Sequence, residues 1–590
     1  MKSLSFFAAA VIVAILGIKP TATAGWREEL REPPREMTQV PFWFWNDELS
    51  DRETARQMAD FRAKGVYGFV IHARMGLPGE IRYMGPRWLA HVRFAVEEAA
   101  RTGMRVCLYD EGMYPSGSAH GEVVRSNPAF AAQGLAAQSK EVSGPAEIDA
   151  AAAPEGRHVA TVAVPIAADG RTLGLDRAIV LAPDRGKVAL GPGRWRVMRF
   201  AAVPSGGHIR GVHPGEEGGQ PDVGPHNVWW PHYRLLADYT SRLSWLMTDS
   251  QQVCQVAVLS VGNRLPWRAA KWLFQNQVDF NYLEDWRLLE QARPTKGTIR
   301  VGPMEYRLLV VDEDEPLPPA LAAKVRELAS AGLLARNCSR NPSADLVADL
   351  SRDVAIQPAC ADLRAAHVVK QGVSFYLLVN EGEQPIDTRV SVPVVGRTEW
   401  FDPWLNTFRL APAKREKERI FVPLRLARRE SLVLCVDPAT PLQAGPAEPA
   451  AAQQVVPIAG PWRIVDRQGK PRGEGLGPWE QLPGLERFVG SLCYQARLPA
   501  AKEPGRRYVL ELPAVGDWAV LKVNGRDLGP RFWTPMTWDI TEALRPGENE
   551  ASIEVTDSLA NRFDRKNARP SGLLAPPRLA GHRRRSGQED

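Results

Sequence analysis

From residue 40 to 110, short continuous apolar runs alternate with stretches of helical period. Val40-Pro-Phe-Trp-Phe-Trp45 is an apolar, aromatic run that stops at Asn46-Asp47. Ser50 or Asp51 then caps a helix in which Thr54, Met58, Phe61 and Arg62 fit a 3.6-residue period, and Lys64-Gly65 ends it. Val66 to Ile71 is a second apolar run, closed by His72-Ala73-Arg74. A second helix is predicted from about Pro86 to Thr102, with Trp88, Val92, Ala95, Val96 and Ala99 on one face and Gly103 as its stop. Met104 to Tyr109 is the third run, and it passes straight into Asp110, Glu111 and a Gly-Met-Tyr-Pro-Ser-Gly-Ser loop. Continuous apolar strands alternating with amphipathic helices predict a parallel sheet covered on both faces. Such sheets gather ligands at the carboxyl ends of their strands. Those ends carry Asn46, His72, Arg74, Asp110 and Glu111.

Beyond Pro128 the pattern changes. Residues 135–205 are rich in Ala, Gly and Pro with short Val-containing segments, which predicts a small inserted β-domain. Trp229-Trp230-Pro231 leads into a helix from His232 to about Met247, so residues 25–134 and 206–249 read together as a partial (β/α) barrel. Apolar runs at Val256–Val261 and Tyr306–Val311 with a helix at Leu321–Leu328 predict a flavodoxin-like α/β domain over 250–366. Residues 367–438 alternate as short antiparallel strands, a β-sandwich. An Ala/Pro-rich linker covers 439–454. Residues 455–580 hold strands around Tyr508–Leu512, Ala519–Val523 and Ala551–Val555, with an Asn524-Gly525 hairpin turn, and predict a jelly roll. Residues 581–590 read as a basic tail. The expected fold class is thus multidomain α/β plus β.

Composition narrows the function. The net charge of +6 on 590 residues is small, and basic residues are interspersed with acids except at Arg583-Arg584-Arg585, so no nucleic-acid module is expected. Eighteen Trp is high, and an aromatic face suits the apolar face of a pyranose, although core packing accounts for most single Trp residues. The six Cys are far apart and lack metal-ligand spacing; Cys107, Cys254 and Cys435 read as buried thiols, and Cys338 and Cys360 could pair in an oxidising compartment. Lys2, the apolar stretch Phe6–Ile18 and Ala22-Thr23-Ala24 make residues 1–24 a cleavable secretory signal, so a secreted or periplasmic protein starting at Gly25 is expected. No stretch is long and apolar enough to span a bilayer.

Four ordered motifs carry a resemblance: Pro41-Phe-Trp-Phe-Trp-Asn46, Ile71-His-Ala-Arg74, Tyr109-Asp-Glu-Gly-Met-Tyr-Pro-Ser-Gly117 and Gly224-Pro-His-Asn-Val-Trp-Trp230. With Leu521 to Gly529, Trp538-Asp-Ile540, Asn549 and Asn561-Arg562, they make residues 40–135 and 210–580 resemble the α-L-rhamnosidase-type glycoside hydrolases of family 106. The C-terminal region is similar to the sugar-binding jelly roll of family 2 glycosidases. The resemblance implies a TIM-type barrel and inverting hydrolysis of a terminal α-L-rhamnose, or a related sugar, from a polysaccharide or oligosaccharide. It also implies calcium at the site. It places Glu111 and Asp110 in catalysis, and Asn46, His72, Arg74, Tyr114, Ser116, Glu217, His226 and Trp229 in substrate binding.

The chain departs from that family in one respect. A full barrel takes eight βα units and typically about 250 residues, yet between Phe200 and Trp229 no run reads as strands four to eight. Glu216 and Glu217 in the Gly-rich loop are then substitutes for a missing carboxylate, or solvated acids. Adjacent strand residues point to opposite faces, so one of Asp110 and Glu111 is expected to face the pocket. The alternative for this pair is capping of the following loop, and for His72 and Arg74 it is hydrogen bonding between loops. Two function classes follow: an exported glycoside hydrolase, or a catalytically inactive carbohydrate-binding homologue lacking half of the barrel.

Overall fold

The computed structural model describes residues 25–74, 76–112, 119–131, 133–150, 156–170, 173–181, 186–204, 229–262, 264–312, 316–443, 445, 454–486, 488, 490–532, 534–557 and 569–583. The signal segment, Tyr114, Ser116, Glu216, Glu217 and His226 lie outside the described residues. The protein is a mixed α/β chain built mostly of sheets. It divides into two compact units: residues 39–222, and residues 1–38 with 223–590. The first helix, α1 (Trp26–Arg31), belongs to the larger unit.

The smaller unit opens with β1 (Phe42–Trp45), α2 (Asp51–Ala63), β2 (Gly68–Ala73), α3 (Pro86–Thr102) and β3 (Arg105–Gly112). The strands form a parallel sheet in the order β1-β2-β3. Ser50 caps α2 by accepting from the Glu53 amide, and Gly103, in the left-handed region, ends α3. Trp43, Trp45, Phe69, Ile71 and Ala73 bury one sheet face against Met58 of α2 and Trp88, Ala95 and Ala99 of α3. Cys107, expected to be buried, is exposed: β3 is an edge strand, and Cys107 pairs with Val70 on the face turned away from the helices. After the short α4 (Glu122–Ser126) come β4 (Gln133–Asp149), β5 (Arg157–Pro165), β6 (Ile179–Leu181) and β7 (Lys187–Pro204). They form an antiparallel sheet in the order β4-β7-β5-β6 with its own small core.

In the larger unit α5 (Tyr233–Met247) precedes β8 (Gln251–Gln252) and an α/β layer of β9 (Val256–Ser260), α6 (Trp267–Gln275), β10 (Phe280–Glu284) and α7 (Asp285–Glu290). A meander of β11 (Arg293–Thr295), β12 (Thr298–Val301) and β13 (Met304–Tyr306) follows, then β14 (Leu308–Asp312), α8 (Pro319–Ser330) and β15 (Leu334–Cys338). The parallel order β10-β9-β14-β15 is doubly wound: α6 shares a core with one face, α7 and α8 with the other.

Next come β16 (Ala355–Gln357), β17 (Leu363–Lys370), β18 (Val373–Asn380), β19 (Ile386–Val392), β20 (Arg397–Asp402), β21 (Thr407–Leu410), β22 (Lys414–Glu416), β23 (Arg419–Leu426) and β24 (Ser431–Asp437). Two sheets, β16-β19-β23-β22 and β21-β20-β24-β18-β17-β8, close on a shared core that includes Tyr376, Leu378, Val390, Trp400, Val422 and Leu434. The sequence pattern grouped residues 206–249 with the barrel. Helix α5 instead lies with α1 on the outer face of the six-stranded sheet, where Trp245, Leu246 and Leu30 pack on Phe375, Phe401 and Val433. The cause is its apolar face, which matches an uncovered sheet face of the sandwich. Residues 454–583 add a four-stranded and a six-stranded antiparallel sheet around one core containing Trp462, Trp479, Tyr494 and Trp538. The final strand runs through Arg583, paired with Arg506, so the basic run begins inside a sheet. All six cysteines are free thiols, Cys338 and Cys360 included.

The turn between β23 and β24 holds a half-buried carboxyl. Glu430 Oε2 accepts from the Ala427 amide at 2.6 Å, and the next residue, Ser431, meets the Tyr239 hydroxyl of α5 at 2.9 Å. Burial, reinforced by the Asp402 charge, pushes the Glu430 carboxyl up to about 7. A carboxyl raised on folding favours the folded state below its unfolded value and costs stability as pH rises through its folded value. The stability of the sandwich is therefore expected to fall as pH rises from about 4.5 to about 7, by an amount on the order of 3 kcal/mol. Glu430→Gln should flatten that slope in pH-resolved calorimetry; an identical slope in the variant would contradict the assignment.

Candidate active site at the strand ends

Period-2 alternation puts Phe42 and Phe44 on the sheet face opposite Trp43 and Trp45. That second face is aromatic. His72, buried on β2, meets Tyr109 of β3 edge-on at 4.4 Å and lies 5.5 and 5.4 Å from Phe42 and Phe44. The Arg74 guanidinium sits 5.0 Å over Phe44, a cation–π contact at the mouth of the face. The Arg74 amide donates to the Trp45 carbonyl at 3.0 Å, fixing the end of β2 against that of β1. Asn46 is exposed beyond β1, and its carbonyl presses against Gly76, whose φ of +104° and lack of Cβ allow that approach. The fold thus brings Asn46, His72, Arg74, Asp110 and Glu111 to one end of one sheet.

The two acids of β3 differ sharply. Glu111 is buried, at 1% exposure. Its carboxylate accepts from the amides of Gly112 at 2.9 Å and Ala119 at 2.8 Å, and also from the His120 amide. Ala119, His120 and Gly121 have successive positive φ values of 48°, 56° and 83°, and the amides of the first two turn toward the carboxylate. This is an anion-holding nest, with Glu111 as the anion. His120 returns through Nδ1, 3.0 Å from the Gly112 carbonyl oxygen. Asp110 is exposed, and its side chain makes no hydrogen bond among the described residues. The Tyr83 hydroxyl is pushed up by burial and by the charges of Glu111 and Asp110, and its ring packs against Gly112, where a Cβ would meet it. Of the pair, Asp110 is the exposed carboxyl, while Glu111 is bonded to the loop.

Trp229 stands in the larger unit, stacked on Tyr233 at 5.5 Å and 6.5 Å from Trp230. The next residues extend that aromatic group: His232 meets Trp518 at 4.8 Å, and Trp518 meets Phe532 at 5.6 Å. Sequence reasoning did not single out Phe42, Phe44, Tyr83, Tyr109 or His120. The strict alternation Phe-Trp-Phe-Trp was the available signal for the first two. The left-handed turn at 119–121 leaves no trace in residue type except Gly121.

The fold answers to a known one. A rhamnosidase from Novosphingobium sp. PP1Y superposes with a TM-score of 0.63 over 94% of this chain and 100% of that chain, at 13% sequence identity. The chain shares the fold of a rhamnosidase. Shorter likenesses are to an FMN-binding β-glucuronidase from Facaelibacterium prausnitzii L2-6 (TM-score 0.18, 21% identity, 22% of this chain and 23% of that one) and to a Bifidobacterium dentium β-glucuronidase complexed with coumarin-3-O-glucuronide (TM-score 0.19, 20% identity, 23% and 31%). No family model matches the sequence, and no curated protein does.

Hydrogen bonds to a charged group contribute about 1.5–3 kcal/mol each. Glu111→Ala should therefore destabilise residues 39–222 by at least about 3 kcal/mol and deprotect the Ala119 and His120 amides in hydrogen exchange. Unchanged protection in that variant would show that the carboxylate does not hold the loop.

Proposed function

We propose that the protein is an exported glycoside hydrolase of the rhamnosidase type, akin to family 106, that removes terminal α-L-rhamnose or a related sugar from a polysaccharide or oligosaccharide. The observation that carries this reading is the likeness to a rhamnosidase along 94% of the chain. The strand ends supply matching chemistry. Asp110 is the exposed carboxyl for proton transfer to the glycosidic oxygen, and His72, Arg74 and Asn46 are polar groups beside an aromatic face that suits the apolar face of a deoxyhexose. Inversion requires a second carboxylate roughly 6.5–9.5 Å from the first to activate water. Glu217, from the Gly-rich loop, is the proposed second acid. Tyr114 and Ser116 remain its proposed companions in sugar binding, and His226 and Trp229 are proposed sugar-binding residues of the larger unit. Among the described residues no group of three or more His, Cys, Asp or Glu side chains converges to hold a metal ion. Calcium at the site is proposed on the family resemblance alone.

A second reading has its own support. In residues 39–222 the parallel sheet has three strands among the described residues, and the Glu111 carboxylate is committed to three backbone amides. Both features suit a homologue that binds carbohydrate without turning it over. Incubating the full chain with an aryl α-L-rhamnoside separates the two. The hydrolase reading expects release of the aryl alcohol, with inverted rhamnose in the proton NMR spectrum. It also expects a loss of at least about 100-fold in kcat for Asp110→Asn, the scale of general acid–base catalysis. A folded wild-type chain with no turnover that still binds rhamnose would establish the second reading.

A further inference from the structure

Within the larger unit, α6 and the β17–β18 hairpin enclose a groove of about 380 Å³. That volume lies at the lower end of the roughly 300–1,000 Å³ typical of small-molecule sites. The groove opens where the cover of α1 and α5 on the six-stranded sheet runs out, leaving Leu377 half-buried as part of an aliphatic floor. Phe274 forms the facing wall: it is 44% exposed, and its ring is braced from behind by Phe280 at 4.8 Å. Lys271 stands one turn earlier on the same face of α6. Arg364 and Glu381 form an ion pair at 2.8 Å on the sandwich side. Asp279 closes the inner end, its carboxylate accepting from Gln252 Nε2 at 2.8 Å and from the Phe280 amide at 3.0 Å, with lone pairs left over. Behind it, a cavity of about 30 Å³, also lined by Asp279, has room for about one water.

Two cations and two carboxylates leave the lining formally neutral. An anionic ligand meets Asp279 and Glu381, and a cationic one meets Lys271 and Arg364. A neutral polyol satisfies all four, because each hydroxyl both donates and accepts. The aromatic wall and aliphatic floor take the C–H face of a ring. We propose that this groove is a second carbohydrate site, separate from the strand ends, that holds one neutral pyranose unit. The choice of L-rhamnose as the first probe rests on the proposed function; the groove's own chemistry asks only for a neutral sugar.

The test is calorimetric titration of the full chain with L-rhamnose, D-glucose and D-galacturonate, in the wild type, Phe274→Ala and Glu381→Gln. Both residues are at least partly exposed, and unchanged melting temperatures verify folding. Saturable binding of a neutral sugar that weakens tenfold or more in Phe274→Ala and measurably in Glu381→Gln is the expected result. Absence of saturable binding by both neutral sugars, equal affinity in wild type and variants, or preference for D-galacturonate would overturn the proposal. Aryl-rhamnoside turnover, measured on the same samples, reads the other site. Turnover without groove binding defeats this inference alone, and groove binding without turnover defeats the hydrolase reading alone.

Discussion

One buried carboxylate sets the geometry of the candidate site. Glu111 ends an apolar strand at a depth where an ionised group is tolerated only if it is fully hydrogen-bonded, and the amides of Gly112, Ala119 and His120 supply those bonds. The price is a non-glycine backbone in the left-handed region at Ala119 and His120. The strand end and the turn are locked together, and Asp110, the residue before Glu111, is exposed at that end of β3. The same lock explains why two adjacent acids of one strand take different roles: one is spent on structure, the other faces solvent.

The sheet that carries this lock obeys a second constraint. A parallel βα sheet needs cover on both faces. Helices α2 and α3 cover one, with Trp43, Trp45 and Phe69 from the strands among the contacts. The other face holds Phe42, Phe44, His72 and Tyr109 in edge-on ring contacts, which is enough to order the rings while Phe42 remains 52% exposed. An ordered aromatic face beside polar strand ends is a surface for a sugar as much as for a further layer of protein.

Much of this was legible in the sequence where local pattern and tertiary need agree. The alternation of apolar runs and helix-period stretches located β1, α2, β2, α3 and β3 closely, and the Gly103 stop and Ser50 cap fell where side-chain chemistry required them. The strand-end residues Asn46, His72, Arg74, Asp110 and Glu111 are brought together as their positions implied. What was illegible depended on partners distant in the chain. Nothing local in α5 says that Trp245 and Leu246 pack on Phe375 and Val433 rather than on a barrel. Burial of Cys107 was inferred from its apolar neighbours, but an edge strand leaves it exposed. The groove between α6 and β18 brings together Phe274, Asp279, Arg364 and Glu381, whose spacing in sequence carries no motif. The role of Glu111 was written in backbone torsions, which residue types at 119 and 120 do not announce.

The proposed function requires that the strand ends of the three-stranded parallel sheet receive a rhamnose-type sugar. A crystal structure of the full chain grown with L-rhamnose tests it most directly. The account predicts electron density for the sugar against the Phe42–Phe44–Tyr109 face, within hydrogen-bond distance of Asp110 and of at least one of Asn46, His72 and Arg74. Well-ordered strand ends with no sugar there, at a rhamnose concentration that occupies another part of the molecule, would contradict it.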